Sequence, residues 1–512
     1  MATLKARLAE GWPTIASALL FLLAFPPFNL SLLVFVALVP WLLRLKALSP
    51  KQAAVSGMAW GAIVYFGQMF WVAILVGRWV GNFALGLVPL GIAVILAGSI
   101  HMVLGLAIQR CWARGWAWGI PLVWAGFEAA KSFAPGIAFP WALLATPLTD
   151  LAPLIQLAWF GTIYAVSAWL VWGNVLAARF LSGEHPRALA PSVAVFGILL
   201  GVSLARFNQP IEGESMVLTA GQPGVDLAFG DSNEADARLS RIVPALQWYA
   251  ASRGSRLLVL PEGLVMGGDG MPPAVPFELD PALTPVIFGG QRVPDPSGDI
   301  RYQSAYAFDG RWQYADKTRL VVFGEYVPLR DRLPFLDAFR LPTGDLTAAD
   351  TVRALDVGGL RVGALICFEA MFHDVAQAQA KNRSQVLAVM AIDDWYRGSN
   401  APEILRTFAV WRAVETGLPV VRSGSLGYSM VIDARGVVEA MAQLDQTIPL
   451  SARVVVPPGP DRFPLVEFFP WAAGLALAAS LFLPGRPAAV RPEAAPRRQK
   501  RGRAKPEGRR PA

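Results

Sequence analysis

Charge is what this sequence has least of. Asp, Glu, Lys and Arg make up 16% of its 512 residues and apolar residues 54%, against roughly a quarter charged in an ordinary soluble domain. That leaves too little charge to cover a wholly soluble protein, so a bilayer must solvate part of the chain. The same composition excludes a chain that is disordered throughout. Two cysteines, Cys111 and Cys367, cannot build a disulfide framework. The histidines, His101, His185 and His373, are scattered, and no zinc or di-metal ligand set is visible. Walker A, GxSxG and GxGxxG motifs are absent. The expectation is a protein with no metal, no cofactor and no nucleic acid to bind.

The cations are unevenly placed. The formal net charge is +8. Ten Lys/Arg and two Glu fall in residues 485–512, so residues 1–484 are formally neutral. This basic tail reads as a disordered, solvated topology signal.

What is abundant is long apolar segments. Seven fill residues 1–206: about 12–28, 30–46, 54–77, 84–108, 116–133, 152–178 and 189–206; an eighth covers 464–484. Most approach the roughly 20 residues that cross a bilayer as a helix. No convincing small-residue cleavage site follows the first segment, which is read as retained. With the N-terminus in the cytoplasm, inner loops carry Lys5, Arg7, Arg44, Lys46, Lys51, Arg110, Arg114, Arg179 and Arg187, and outer ones only Arg78 and Lys131. This positive-inside bias places residues 207–463 outside the cytoplasm and both termini within it. Cys111 falls in a cytoplasmic loop on this reading.

Residues 207–463 have a different texture. Short apolar runs at 215–221, 256–262, 284–290, 304–310, 360–369, 385–393, 418–424 and 428–436 read as strands. Helix-like stretches at 234–252 and 401–417 alternate with them, which indicates an α/β layer fold. Three strand ends carry reactive side chains: Glu262 in LLVLPEG, Lys317 in YADKTRL and Cys367 in VGALICFEAMF. A carboxylate can take a thiol proton, and an ammonium can stabilise a thiolate or oxyanion. A helix N-terminus after Cys367 is expected to lower the thiol pKa. Alone, each residue is ordinary, because a cysteine after a strand is usually a small buried hydrophobe. His373 reads as helix surface, Glu128 and Lys131 as an interfacial ion pair, and Asp393 and Asp394 as a strand-end turn.

The Glu…Lys…Cys order is similar to that of the nitrilase, or carbon–nitrogen hydrolase, superfamily. DKTRLVVFGEYVPLR (316–330), ICFEAMF (366–372), RAVETGLPVVR (412–422) and FPWALLATPLTDLAPLIQLAWFGTIYAVS (139–167) resemble its membrane branch, the apolipoprotein N-acyltransferases. The resemblance implies an eight-helix membrane bundle carrying an extracytoplasmic αββα sandwich, in a bacterial inner membrane. It implies Cys367 as nucleophile, Glu262 as general base and Lys317 as stabiliser of the tetrahedral intermediate, with Glu325, Phe368 and Glu369 supporting them. Trp141, Trp395 and Tyr326 are candidate substrate contacts. The implied reaction is ping-pong acyl transfer from a phospholipid, through a thioester, to the α-amine of a diacylglyceryl-modified apolipoprotein; the enzyme is read as a monomer. The chain departs from the family pattern at Arg319, Val322, Phe368, Ile392, Arg397, Leu418 and Ser425. Two other readings stand beside it: a membrane-tethered amidase using the same triad, and a degenerate lipoprotein-binding scaffold.

Overall fold

The computed structural model describes residues 2–483 other than 135, 137, 266–270, 272, 296, 299, 333–340 and 342–343. The basic tail lies outside the described residues.

Every apolar segment folds as helix, but their lengths differ widely. The first helices are α1 (Ala2–Ala24), α2 (Val39–Ala47), α3 (Pro50–Gln68) and α4 (Phe70–Val80). They are followed by α5 (Phe83–Ala113), α6 (Ile120–Phe133), α7 (Ala158–Leu181) and α8 (Pro186–Phe207). Among the described residues, only α5, α7 and α8 are individually long and apolar enough to cross a membrane; α3 and α4, bent by 49° at their junction, could make a fourth span. The expected 30–46 segment is a 3-10 turn over Ser31–Phe35 followed by α2, whose nine residues rise only about 14 Å. In contrast, α5 has 31 residues and absorbs Cys111, which is buried in the helix rather than displayed on a loop. Outward apolar side chains such as Ile95 on α5 and Ile198 on α8 are more than half exposed, as lipid-facing residues are.

The remaining described residues form two six-stranded sheets. One has the order β12-β1-β2-β3-β4-β5, from β1 (Glu214–Gln222), β2 (Ser255–Val259), β3 (Val286–Arg292), β4 (Tyr302–Phe308), β5 (Trp312–Asp316) and β12 (Ile448–Val456). The other runs β11-β10-β9-β8-β7-β6, from β6 (Ala354–Val357), β7 (Leu360–Ile366), β8 (Val386–Ala391), β9 (Val420–Gly424), β10 (Met430–Ile432) and β11 (Val438–Met441). Helix α9 (Ser232–Ser252) covers the first sheet, and α10 (His373–Lys381) and α11 (Ala401–Thr416) cover the second. Helix α12 (Phe468–Phe482) then packs on α6. All eight expected strands are present; β5, β6, β11 and β12 are additional.

The period of two builds the layers. In β7 and β8, Val362, Ala364, Ile366, Val386, Ala388 and Met390 face the other sheet, while Leu365, Leu387 and Val389 face the helices. That outer core does not stop at α10 and α11. It is continuous with the core of the membrane bundle. Helix α11 is buried on every side except at Glu403, as expected of a helix with a sheet on one face and a bundle on the other. Arg406 of α11 reaches Asp150 of the bundle with both Nη atoms, at 3.0 and 2.9 Å, and Trp411 donates to Thr149 at 2.9 Å.

Candidate active site

Three strand ends converge. After β2 the chain continues beside β3: the Leu260 amide donates to the Ile287 carbonyl at 2.8 Å and the Gly289 amide to that of Pro261 at 3.0 Å. This pins Glu262. Position 289 has to be glycine, since a Cβ there would stand 2.8 Å from Glu262 Cα. Lys317 leaves β5 and Cys367 leaves β7. Lys317 Nζ, fully buried, lies 2.6 Å from Glu325 Oε1 and 3.9 Å from Glu262 Oε1. The Cys367 thiol and the Gln303 side chain both act on the Glu262 carboxyl group, pulling against the effect of burial. Residues far apart in the chain thus form one buried cluster.

The electrostatics correct one expectation. The thiol of Cys367 is raised, not lowered: burial is the main cause and the Glu262 carboxylate adds to it, outweighing Lys317. The following residues, Cys367–Met371, form a 3-10 turn of five residues rather than an α-helix with a full dipole. Burial lifts Glu262 to about 7, against the pull of Lys317. Burial opposes the charge of Lys317, yet Glu325 and Glu262 hold its ammonium protonated far above neutrality. The resting state is therefore a neutral thiol beside a carboxyl group poised near pH 7. That is the range in which a general base is most effective.

Backbone strain sits at the nucleophile. Cys367 has φ +54°, a left-handed conformation that a non-glycine residue holds only when its surroundings enforce it. Glu369 is one enforcer. Its Oε2 accepts from the Ile366 amide at 3.0 Å, and its Oε1 accepts from Thr318 N and Oγ1 at 2.8 Å and from Arg319 N at 3.2 Å. It ties the Cys367 turn to the segment after Lys317. Glu325 fixes that segment again by accepting from Val321 N at 2.9 Å.

Phe368 leads towards the helix bundle. Its ring lies 6.2 Å from Phe139 and 6.1 Å from Tyr396. Phe139 stacks on Trp141, which meets Trp71 of α4, which meets Tyr396 edge-on at 5.1 Å. Five aromatic rings from the bundle, the 134–157 loop and two strand ends close a circuit beside Cys367. Trp141 is completely buried and donates to the Gln68 carbonyl at 2.9 Å. Trp395 is half-buried against Phe229. Tyr326 is half-buried, its hydroxyl donating to the Gly136 carbonyl at 3.3 Å.

Other residues sit differently from their sequence readings. Among the described residues, Glu128 and Lys131 bind the 134–157 loop rather than each other. Glu128 accepts from the Leu144 amide at 2.8 Å, and Lys131 donates to the Trp141 carbonyl at 2.7 Å. They satisfy irregular backbone that would otherwise be buried without partners. His373 is buried between Phe133 and Tyr164, and burial lowers it to about 3. Asp393 and Asp394 do hold a strand-end turn, but from inside. Asp393 pairs with buried Arg422 at 2.8 Å, and Asp394 accepts from the Leu227 and Leu426 amides. Gln303, Trp71 and the Arg422 clamp had no local sequence signal.

Two family models agree with this architecture. Residues 155–451 match the family model described as "Carbon-nitrogen hydrolase". Residues 17–176 match the "Apolipoprotein N-acyltransferase N-terminal domain". A Geobacter metallireducens protein named apolipoprotein N-acyltransferase is 29% identical over 502 residues, covering 91% of this chain and 94% of that one. A Sinorhizobium medicae protein of the same name is 28% identical over 459 residues, covering 82% and 85%. The structure of Saccharomyces cerevisiae Nit3, of the nitrilase superfamily, aligns at 15% identity over 47% of this chain and 90% of that one, with a TM-score of 0.35.

Proposed function

The chain belongs to the carbon–nitrogen hydrolase family, and from that premise we propose a mechanism by which it acylates membrane lipoproteins. It is an acyltransferase acting on the amino termini of lipoproteins, as its relatives are named. The acyl donor is a phospholipid, held between half-reactions as a thioester on Cys367. The observation that carries this reading is the buried Glu262–Lys317–Cys367 cluster, built onto a core continuous with a membrane bundle. A soluble acyl hydrolase would have to lift each chain out of the bilayer, at about 0.8 kcal/mol per CH₂. A site packed on the bundle avoids that cost.

In the first half-reaction Glu262 takes the thiol proton as the sulfur attacks the ester carbonyl. Lys317 stabilises the oxyanion. The ester C–O bond breaks, and the proton passes from Glu262 to the departing lysophospholipid hydroxyl. In the second, the lipoprotein α-amine attacks the thioester. The C–S bond breaks, an amide forms, and the amine proton returns through Glu262 to the thiol. Glu325 and Glu369 keep Lys317 and the Cys367 turn in place. The aromatic circuit through Phe368, Phe139 and Trp141 keeps water from the thioester, and Trp395 and Tyr326 border the substrates.

The test uses purified protein in detergent with phospholipid and a synthetic diacylglyceryl-cysteine peptide. The peptide should gain one acyl chain, and the same peptide with a blocked α-amine should gain none. Free fatty acid with an unmodified peptide would make the protein a hydrolase. Neither product would leave a binding scaffold.

The domain reading accompanies this: a bundle over 1–206, a catalytic domain over 207–463, a last span over 464–484 and a cytoplasmic tail over 485–512. All eight apolar segments cross or enter the membrane, the catalytic domain faces the periplasm, and the enzyme works as a monomer. Nine cations against two on the connecting segments support this orientation. A reporter fused after Asp461 is expected to read as periplasmic and one at the C-terminus as cytoplasmic. The opposite pattern would overturn the topology.

A further inference from the structure

Two strained residues stand at opposite ends of one buried ion pair. The first is Cys367, at φ +54°. The second is Thr162, at φ +62° and ψ −175°, the fifth residue of α7. A β-branched residue in the left-handed region is a genuine outlier. Together with Gly161 it breaks α7 into two helices. Position 161 admits no side chain, because a Cβ would lie 2.6 Å from the Phe469 ring of α12.

A break in a helix exposes new amide donors at the start of the segment that follows it. The Ile163 amide finds its acceptor outside the bundle. It donates to Glu415 Oε1 of α11, at 2.8 Å. A catalytic-domain carboxylate thus caps a membrane helix, at the end where the helix dipole favours negative charge. Arg412, one turn earlier on α11, donates to the same Oε1 at 2.9 Å. Its other terminal nitrogen donates to the carbonyls of Met371 at 3.0 Å and Ala370 at 3.3 Å. Those carbonyls close the 3-10 turn that Cys367 begins. Neither side chain is more than 1% exposed.

The Cys367 turn is therefore gripped at both ends. Glu369 holds its entry and Arg412 its exit. The exit runs through Glu415 to the α7 break. A fork of planar donors can serve two carbonyls and a carboxylate together; a lysine ammonium has no such geometry. A buried pair of this kind is weak evidence for stability, since apolar replacements often fold as well. Its value lies in geometry.

We propose that Arg412 and Glu415 are positioning residues for the nucleophile, locking the Cys367 turn to the break in α7 so that a membrane helix sets the placement of the thiol. This deepens the functional reading above and rests on it. The experiment compares wild type with Arg412→Met/Glu415→Gln, which removes both charges and leaves Ile163 an amide oxygen to donate to. All proteins carry Cys111→Ser, so maleimide reports only Cys367.

The double variant should melt like wild type in detergent. Its thioester should form about 10²-fold more slowly at unchanged donor KM, the cost of a nucleophile displaced by about 1 Å. Its maleimide rate at Cys367, and the pH dependence of that rate, should also change. Wild-type kcat and alkylation in the folded double variant would overturn the proposal. If the double variant does not fold, Arg412→Lys decides. That change keeps the charge, and is expected to lower kcat without moving KM; wild-type kcat there is equally fatal. A wild-type protein that forms no hydroxylamine-labile adduct would sink the functional reading instead, and the alkylation rates would still report on the turn.

Discussion

Cys367→Ala is expected to abolish transfer, with a fall of at least about 10⁴-fold, the scale on which loss of a covalent nucleophile is felt. No other described side chain can take over the covalent step. Cys111 is buried in α5, and Lys317 is held as an ammonium by Glu325 and Glu262. The effect should be purely chemical. Alanine differs from cysteine by one sulfur and accepts the same backbone conformation, so the variant should melt like wild type and still bind donor. Intact mass makes the result specific. Wild type incubated with phospholipid and no acceptor should carry an acyl-sized adduct that hydroxylamine removes, and Cys367→Ala should stay bare. Retained transfer in Cys367→Ala would refute the thioester, however well the fold matched.

Thioester formation should fall away on the acid side of about pH 7, and Glu262→Gln should remove that limb together with about 10²–10⁴-fold of the rate. The sign follows from burial. Burial raises the Glu262 carboxyl to about 7, so below that pH it is protonated and cannot accept the thiol proton. An ordinary glutamate, near 4.5, would keep activity flat down to about pH 5. Burial also raises the thiol, so no preformed thiolate can bypass the base. In Glu262→Gln the residual rate should instead climb with pH, as free hydroxide deprotonates the sulfur. The measurement is the single-turnover rate of adduct formation from pH 5 to 9. A wild-type rate independent of pH across that range would mean that Glu262 is not the base. Folding moves the other way. A carboxyl raised on folding stabilises the protein most below the unfolded pKa, and that contribution is lost as pH rises through about 7. Catalysis and stability therefore pull against each other across neutrality.

Much of this was legible in residue order because the signals are local. The short apolar runs in LRVGALI and QVLAVMAID need only neighbouring side chains to mark them as buried strands, and β7 and β8 do lie between two cores. Strand-end placement picked out Glu262, Lys317 and Cys367, and those three do meet. The strands that escaped notice, β6, β11, β12 and all of β5 but the end before Lys317, belong to the sheet margins. Their sequences, such as WQYAD and VEAM, are too polar to announce themselves, because one face meets water.

What the sequence by itself determined was the division into apolar and α/β parts, the layer pattern and the identity of the reactive groups. Tertiary structure alone decided their chemical state. Desolvation depends on every atom within several ångströms, most of them distant in the chain. So a thiol expected to be acidic is held neutral, a histidine expected at the surface is buried, and Glu128 and Lys131 grip a loop. Helix length was likewise settled by packing: the bundle truncated the 30–46 segment and extended α5. The link from Thr162 through Glu415 and Arg412 to Cys367 joins three parts of the chain, and no window on the sequence contains it.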